Sequence, residues 1–278
     1  MVLVLILGMG VGLLMGLTGA GGGILSVPIL VTGLGWTMQQ AAPVALVAVA
    51  VGATVGAVDG FRKGLVRYKA AMLMAVVGIP MTRLGMNWAH EVPGDGLKVV
   101  FAFLLIYLGR KMFKQADSGH LFEEWGTLRV ALINQHTGRF IWTPSTALLL
   151  ACIGAVTGLL SGLLGVGGGF FIVPMLKKFT RLSMSGIVAT SLFLIALVSG
   201  GGAINASLLG TTWPEATWPF VAAIALGVLG GRRFAHQFRA ESLQRIFAGV
   251  LLLVAAILLL QAASVGLDVL VKGTNPAT

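Results

Sequence analysis

Residues 8–30 read GMGVGLLMGLTGAGGGILSVPIL, and residues 154–176 read GAVTGLLSGLLGVGGGFFIVPML. Thirteen of these twenty-three positions carry the same residue at a constant offset of 146, including three adjacent glycines and a proline. A weaker match continues downstream, where Leu46 aligns with Leu192 and Gly64 with Gly210. The chain is therefore built from two related halves, and each half opens with a hydrophobic stretch that glycines interrupt.

The composition predicts a helical membrane protein. Of the 278 residues, 57% are hydrophobic and 10% are charged, whereas soluble domains have about 25% charged residues. Several apolar runs reach the roughly 20 residues that a helix needs to cross a hydrocarbon core of about 30 Å. The strands of a membrane barrel alternate apolar and polar residues, and these runs do not. The expected fold class is all-α and polytopic.

The net charge of +10 reflects where the cationic residues lie. Lys and Arg occupy short segments beside the apolar runs, as they do in the cytoplasmic loops of membrane proteins. This pattern indicates contact with the lipid bilayer and argues against nucleic acid as a partner. The single cysteine, Cys152, and the four scattered histidines lack the spacing of a metal site. The sequence predicts neither a cofactor nor an enzyme, because it carries no nucleophile–base constellation.

Each half is predicted to form a glycine-broken re-entrant helical hairpin followed by three spanning helices. The predicted helices cover residues 2–18, 24–34, 37–58, 70–86, 97–112, 145–164, 170–180, 183–205, 218–230 and 243–262. The first transmembrane repeat covers residues 1–114, and the second covers 144–278. A cytoplasmic linker, 115–143, joins them and contains a candidate surface helix over residues 121–133.

The positions of the basic loops predict how the repeats are oriented. Placing loop 59–69 in the cytoplasm leaves each half with an odd number of membrane crossings. The two halves are then inverted relative to each other. Inverted repeats with broken helices are typical of alternating-access transporters, whose substrate site lies near the bilayer midplane.

The glycine triplets predict an anion site. A helix that starts directly after a triplet presents unpaired amides and about half a positive charge at its N-terminus, which suits an anion. Glycine has no side chain to keep an anion away from the backbone. Tight helix packing is the alternative, and for the ridge of Gly8, Gly12 and Gly16 it is favoured. The candidate substrate-binding residues are Thr18, Gly19, Ala20, Gly21, Gly22, Gly23, Ser161, Gly165, Val166, Gly167, Gly168, Gly169, Thr190, Ser191 and Asn205.

The doubled pattern G-x-x-G-x-G-G-G-x-x-x-V-P-x-L, at Gly16–Leu30 and Gly162–Leu176, resembles the TauE/SafE family of sulfite and organosulfonate exporters. Ala-Thr-Ser-Leu at residues 189–192 adds to the resemblance, although the first half has Pro-Val-Ala-Leu at residues 43–46. The resemblance implies a permease of the bacterial inner membrane that exports sulfite, sulfoacetate or a related small anion, coupled to protons or to the membrane potential.

The sequence leaves alternatives open. Uptake of another small anion is one, and a non-transporting membrane assembly partner is another. The GxxxG faces also allow a homodimer, and the sequence leaves the oligomeric state open.

Overall fold

The structure is a computed structural model that describes residues 1–18, 22–92, 94–117, 142–180, 182–234 and 240–273. Within these residues the chain forms ten α-helices. They are α1 (Val2–Thr18), α2 (Ser26–Leu34), α3 (Met38–Arg62), α4 (Tyr68–Glu91), α5 (Gly94–Asp117), α6 (Pro144–Leu164), α7 (Gly169–Phe179), α8 (Met184–Leu208), α9 (Thr217–Phe234) and α10 (Ala240–Gly273). A short 3₁₀ turn, Gly22–Leu25, precedes α2.

These ten helices correspond one to one with the ten predicted from the sequence, and the differences are at their ends. The basic segment 59–69 was predicted as a loop, but α3 continues to Arg62 and α4 begins at Tyr68. Asp59 therefore lies in the last turn of a helix. Helix α10 continues to Gly273, beyond the predicted end at residue 262. The candidate surface helix of the linker, 121–133, lies outside the described residues.

Equivalent residues begin the long helices α3 and α8. The Thr37 side chain accepts a hydrogen bond from the amide of Gln40 at 3.3 Å, and the Gln40 side chain accepts one from the amide of Thr37. Ser183, 146 positions after Thr37, accepts a hydrogen bond from the amide of Gly186 at 3.2 Å. Such caps satisfy amides that have no partner within the helix. The two halves thus start this helix in the same way.

The helices of the two halves pack reciprocally. Helix α1 packs on α9, and its counterpart α6 packs on α4, which is the counterpart of α9. Helix α3 packs on its own counterpart α8, and α5 packs on its counterpart α10. Exchanging the two halves preserves all of these pairings. The repeat in the sequence is therefore also a repeat of the packing.

Glycine ridges make the closest of these helix contacts. A Cβ on Gly12 would come within 3.0 Å of backbone atoms of Ile224, and a Cβ on Gly158 within 3.0 Å of backbone atoms of Gly78. Both pairs are equivalent at the offset of 146. The packing role expected for the glycine ridge of α1 is therefore confirmed. Both ridges pack against helices of the same chain, and homodimerisation stays a prediction.

Four of the described helices, α3, α4, α6 and α8, are long and apolar enough to cross a membrane. Helix α6 has 21 residues, about 31 Å at 1.5 Å per residue, although the sequence predicted it as one arm of a re-entrant hairpin. Helices α1 and α2 do form an antiparallel hairpin, because a Cβ on Gly22 would touch Met15 and one on Gly33 would touch Leu7. The re-entrant course of the hairpins and the six spans stay predictions.

Candidate functional site

The tips of the two glycine-broken hairpins are buried and lie against each other. A Cβ on Gly23 in the first tip would lie 3.4 Å from the carbonyl oxygen of Val166 in the second. The methyl groups of Val49 on α3 approach both Gly23 and Gly167. The fold thus brings together two motifs that are 146 residues apart in the sequence.

The backbone of the second tip requires glycine. Gly165, Gly167 and Gly168 have φ angles of 69°, 70° and 67°, in the left-handed region that residues with a Cβ rarely adopt. Gly165 ends α6, and Gly168 is the N-cap of α7, which starts at Gly169. The amides of Gly169 and Phe170 come before the first acceptor that the helix offers, whereas the amide of Phe171 already donates to the carbonyl of Gly168 at 3.0 Å.

The first tip has a different backbone. Gly22 and Gly23 belong to the 3₁₀ turn, and neither has a left-handed φ. Helix α2 begins only at Ser26. The predicted start of an α-helix at the glycine triplet therefore holds for the second tip, whereas a 3₁₀ turn intervenes in the first. Three further predicted residues lie outside the described part of the chain: Gly19, Ala20 and Gly21.

Four buried hydroxyl groups near the tips have no hydrogen-bond partner. They belong to Ser26, Thr157, Ser161 and Ser199, each of which is 0% exposed. Ser199 Oγ lies 2.9 Å from the point that a Cβ on Gly167 would occupy, so it lies directly beside the glycine backbone. An unpaired buried hydroxyl costs roughly 1–3 kcal/mol. This group of unpaired hydroxyls makes the region around the tips the candidate site.

The sequence identified Ser161 but missed Thr157 and Ser199. Thr157 lies against Gly168, and the carbonyl of Ser161 accepts the amide of Gly165 at 2.8 Å. The first half has apolar residues at the positions equivalent to the three hydroxyls: Val11, Met15 and Ala53. Aligning the halves and selecting polar residues that only one half carries would have found both missed residues.

The other predicted residues of α8 lie away from the tips. Thr190 Oγ1 accepts a hydrogen bond from the amide of Arg67 at 3.0 Å. Ser191 beside it is buried and has no partner. Thr190 is about 13 Å and Asn205 about 9 Å from Ser199 along the helix axis, on opposite sides, at 1.5 Å per residue. The structure does not bring Thr190 and Asn205 together with the glycine tips.

Two cavities share a wall that contains Thr18. The larger, of about 470 Å³, lies between α1, α3, α8 and α9 and is lined by Asp59, Lys63 and Arg232. The smaller, of about 140 Å³, reaches Gly169 at the start of α7. The Thr18 hydroxyl donates to a carbonyl of its own helix at 2.7 Å. Thr18 therefore lies between the charged cavity and the second tip.

Apolar side chains close the equivalent region in the opposite half. Leu46, Met86 and Ala206 form a buried cluster, and Trp213 packs against it. Leu46 is equivalent to Leu192, which lines the larger cavity. The two ends of the α3–α8 pair therefore differ, because one borders a cavity and the other is filled.

One pair of equivalent contacts shows this difference. The Asp59 carboxylate pairs with the Arg232 guanidinium and with Lys63 Nζ, the latter at 2.9 Å. At the offset of 146 the first pair becomes Asn205 and Met86, whose Nδ2 and Sδ atoms are 3.9 Å apart. The contact is charged at one end and neutral at the other. Within the described ranges, no group of three His, Cys, Asp or Glu residues is placed to hold a metal ion.

Known proteins match this chain over nearly its full length. A Xylella fastidiosa (strain 9a5c) protein named "Probable membrane transporter protein" is 29% identical over 250 residues, which cover 88% of this chain and 89% of the relative. "Probable membrane transporter protein YjnA" of Bacillus subtilis (strain 168) is 25% identical over 257 residues, with coverages of 90% and 96%. No solved structure matches the chain significantly. Residues 4–258 match the family described as Sulfite exporter TauE/SafE, and the protein therefore belongs to this family of membrane transporters.

Proposed function

We propose that the protein is a secondary transporter of the bacterial inner membrane that exports a small sulfur-containing anion, either sulfite or an organosulfonate such as sulfoacetate. The anion crosses the bilayer without chemical change. Membership of the TauE/SafE family supports transport of this class of substrate. The observation that carries the binding site is the group of unpartnered buried hydroxyls beside the glycine tips.

The second tip is the main binding element. The free amides at the start of α7 attract an anion, and the hydroxyls of Thr157 and Ser199 donate hydrogen bonds to it. Each hydrogen bond to a charged group contributes roughly 1.5–3 kcal/mol. A few such bonds offset the several kcal/mol that desolvation of a small anion costs. Since the donors are neutral, the anion is held weakly enough to be released.

The first tip completes the site from the other side. Its Gly23 lies against Val166 of the second tip, so an anion at the second tip is within reach of the backbone at Gly22 and Gly23. These glycines keep that approach free of side chains. The asymmetry of the two tips makes the first tip the weaker contributor.

The reciprocal packing supports an inverted-topology arrangement of repeats 1–114 and 144–278 and an alternating-access mechanism. The cavity of about 470 Å³ is open, while the equivalent region around Leu46 and Met86 is filled. In the opposite state, Leu192 and Arg232 close the cavity in the way that Leu46 and Met86 fill the equivalent region in this structure. The basic residues beside the open cavity support a cytoplasmic position for it, where an exported anion is loaded.

The test is anion binding to the purified protein, measured as the shift of its thermal stability with sulfite, sulfoacetate, sulfate or chloride. We expect sulfite or sulfoacetate to stabilise it selectively. Ser199→Ala removes one hydroxyl and leaves the packing unchanged, so the anion-free variant is as stable as the wild type or more stable, because an unpaired group is gone. It should lose most of the anion-induced shift.

The matched control is Ser207→Ala on the same helix, since the exposed Ser207 hydroxyl donates to the carbonyl of Ala203 at 3.1 Å. Larger substitutions at the glycines are less informative. A Cβ on Gly22 would collide with the backbone of Met15, and a Cβ on Gly168 with Thr157. A valine at either position disturbs the packing whether or not an anion binds there.

Flux through proteoliposomes separates the alternatives. Efflux of sulfite or sulfoacetate that is faster than efflux of chloride supports export. If only a different anion is transported, the proposed substrate is wrong but the proposed binding site still stands. No stabilisation by any of the four anions, together with no flux, would overturn the proposal and favour a non-transporting membrane assembly partner.

A further inference from the structure

The larger cavity has a charged wall that the hairpin-tip site does not use. Asp59, Lys63 and Arg232 line it together with Gly56 and Thr18. The three charges sum to +1, so the cavity as a whole favours an anion. Its volume of about 470 Å³ is large enough to hold a small oxyanion together with several water molecules.

Arg232 is the best-positioned cation in this cavity. Its side chain is 27% exposed, against 57% for Lys63, so Arg232 is the more deeply placed of the two. A Cβ on Gly56 would lie 2.9 Å from Arg232 Nη1, so glycine at position 56 leaves space for the guanidinium. Arginine offers two parallel N–H donors to an oxyanion or to a carboxylate. The carboxylate of Asp59 now occupies part of this donor set.

The fold itself does not require these charges. The equivalent contact in the other half pairs Asn205 with Met86 and has Leu209 in place of Lys63. The same helices pack there without an ion pair. Since the second copy of this helix contact is stable without an ion pair, a role in binding explains the charges of Asp59 and Arg232 more simply than a role in folding does.

We infer that this cavity is a second anion-binding site, distinct from the hairpin tips, in which Arg232 binds a small oxyanion and the Asp59 carboxylate competes with it. When the oxyanion binds, Asp59 leaves Arg232 and keeps its ion pair with Lys63. When the oxyanion moves on toward Thr18 and the second tip, Asp59 returns. The internal carboxylate thus limits how long the anion stays at the entrance.

Calorimetric titration of the purified, detergent-solubilised protein with sulfate and with sulfite tests this inference. In Asp59→Asn the competing carboxylate is gone, and we expect the affinity of the cavity site to rise about tenfold. The apparent affinity equals the intrinsic affinity multiplied by the fraction of protein in which Arg232 is free to bind the anion. In Arg232→Met, which installs the residue of equivalent position 86, the affinity should fall at least about tenfold. Arg233→Met is the matched control, because Arg233 is exposed on the same helix and does not line the cavity.

A purely structural ion pair predicts a different pattern. Asp59→Asn and Arg232→Met would then both lower thermal stability, the double variant would restore it, and none of the three would change anion affinity more than Arg233→Met does. That result would overturn the inference. Should Arg232→Met fail to fold, Arg232→Lys keeps the charge and removes the two-donor fork, and an intermediate loss of affinity is expected.

The inference is separable from the proposed tip site. In a Thr157→Val/Ser199→Ala background, the cavity site should still bind sulfate and still respond to Asp59→Asn. Loss of all binding in that background would show a single site at the tips and overturn the inference. Binding that is lost in Arg232→Met and unaffected by Thr157→Val/Ser199→Ala would uphold it and refute the tip site.

Discussion

The two hairpin tips have the same glycine pattern but different surroundings. In the second tip an α-helix starts at the last glycine, and the unpartnered hydroxyls of Thr157, Ser161 and Ser199 surround it. In the first tip a 3₁₀ turn delays α2 to Ser26. The side chains at the positions of the three hydroxyls are apolar there: Val11, Met15 and Ala53. Both copies of the glycine motif therefore serve in packing, whereas three unpartnered hydroxyls lie beside the second tip and only that of Ser26 lies beside the first.

The difference between the halves continues to the ends of α3 and α8. The end that contains Asp59 borders a charged cavity, while the end that contains Asn205 packs into an apolar cluster. Reciprocal packing of the helices does not force identical chemistry on equivalent positions. The polar residues that only one half carries are consequently the best guide to function.

The largest expected effect is at the second tip. The double variant Thr157→Val/Ser199→Ala makes two of its three hydroxyl positions apolar, as in the first tip, and it removes two hydrogen bonds to the bound anion. At roughly 1.5–3 kcal/mol for each bond, the dissociation constant for sulfite at this site should rise by a factor of about 100 or more, as measured by titration calorimetry. Thr54→Val/Ser207→Ala is the control, because both hydroxyls are exposed and donate within their own helices. Equal affinities in the two double variants would contradict the polar role of the second tip.

The next largest effect concerns the closed end. Leu46→Ala removes a fully buried side chain from the apolar cluster, and cavities of this kind lower the free energy of unfolding by about 2–5 kcal/mol. Its counterpart Leu192→Ala should cost less, because Leu192 already borders a cavity. Thermal unfolding measures both losses. Passive sulfite leakage from proteoliposomes should increase only for Leu46→Ala, and equal leakage would show that the cluster does not seal the protein.

The sequence predicted the ten helices and the two related halves well, because repeated glycines and apolar runs are local signals. It predicted the binding residues less completely. Thr157 and Ser199 are single polar residues within apolar helices, and only the packing shows that they meet a glycine tip. The ion pair of Asp59 with Arg232 joins residues 173 positions apart, a distance over which the pattern of the chain gives no signal.

A smaller effect is expected when the first tip receives a hydroxyl. Ala53→Ser introduces the residue of position 199 at a site that is 0% exposed. An unpaired buried hydroxyl should lower the free energy of unfolding by roughly 1–3 kcal/mol, and less if it bonds to the carbonyl four residues earlier. Sulfite affinity should not rise, because the 3₁₀ turn holds the start of α2 away from the glycines. A gain in affinity would show that side chains alone distinguish the two tips.

The smallest expected effect is at a place where the halves agree. Gly64 and Gly210 are equivalent, have φ angles of 65° and 78°, and leave open space around a Cβ. Changing either to Ala should therefore cost only the left-handed backbone strain, about 1–2 kcal/mol, with equal falls in the thermal midpoint. Gly10→Ala is the control of opposite sign, because Gly10 is helical with open space around it, and alanine is the better helix former by about 1 kcal/mol. Equal losses at positions 64 and 210 would confine the asymmetry to the tips and the cavity, whereas unequal losses would extend it to the turns that follow α3 and α8.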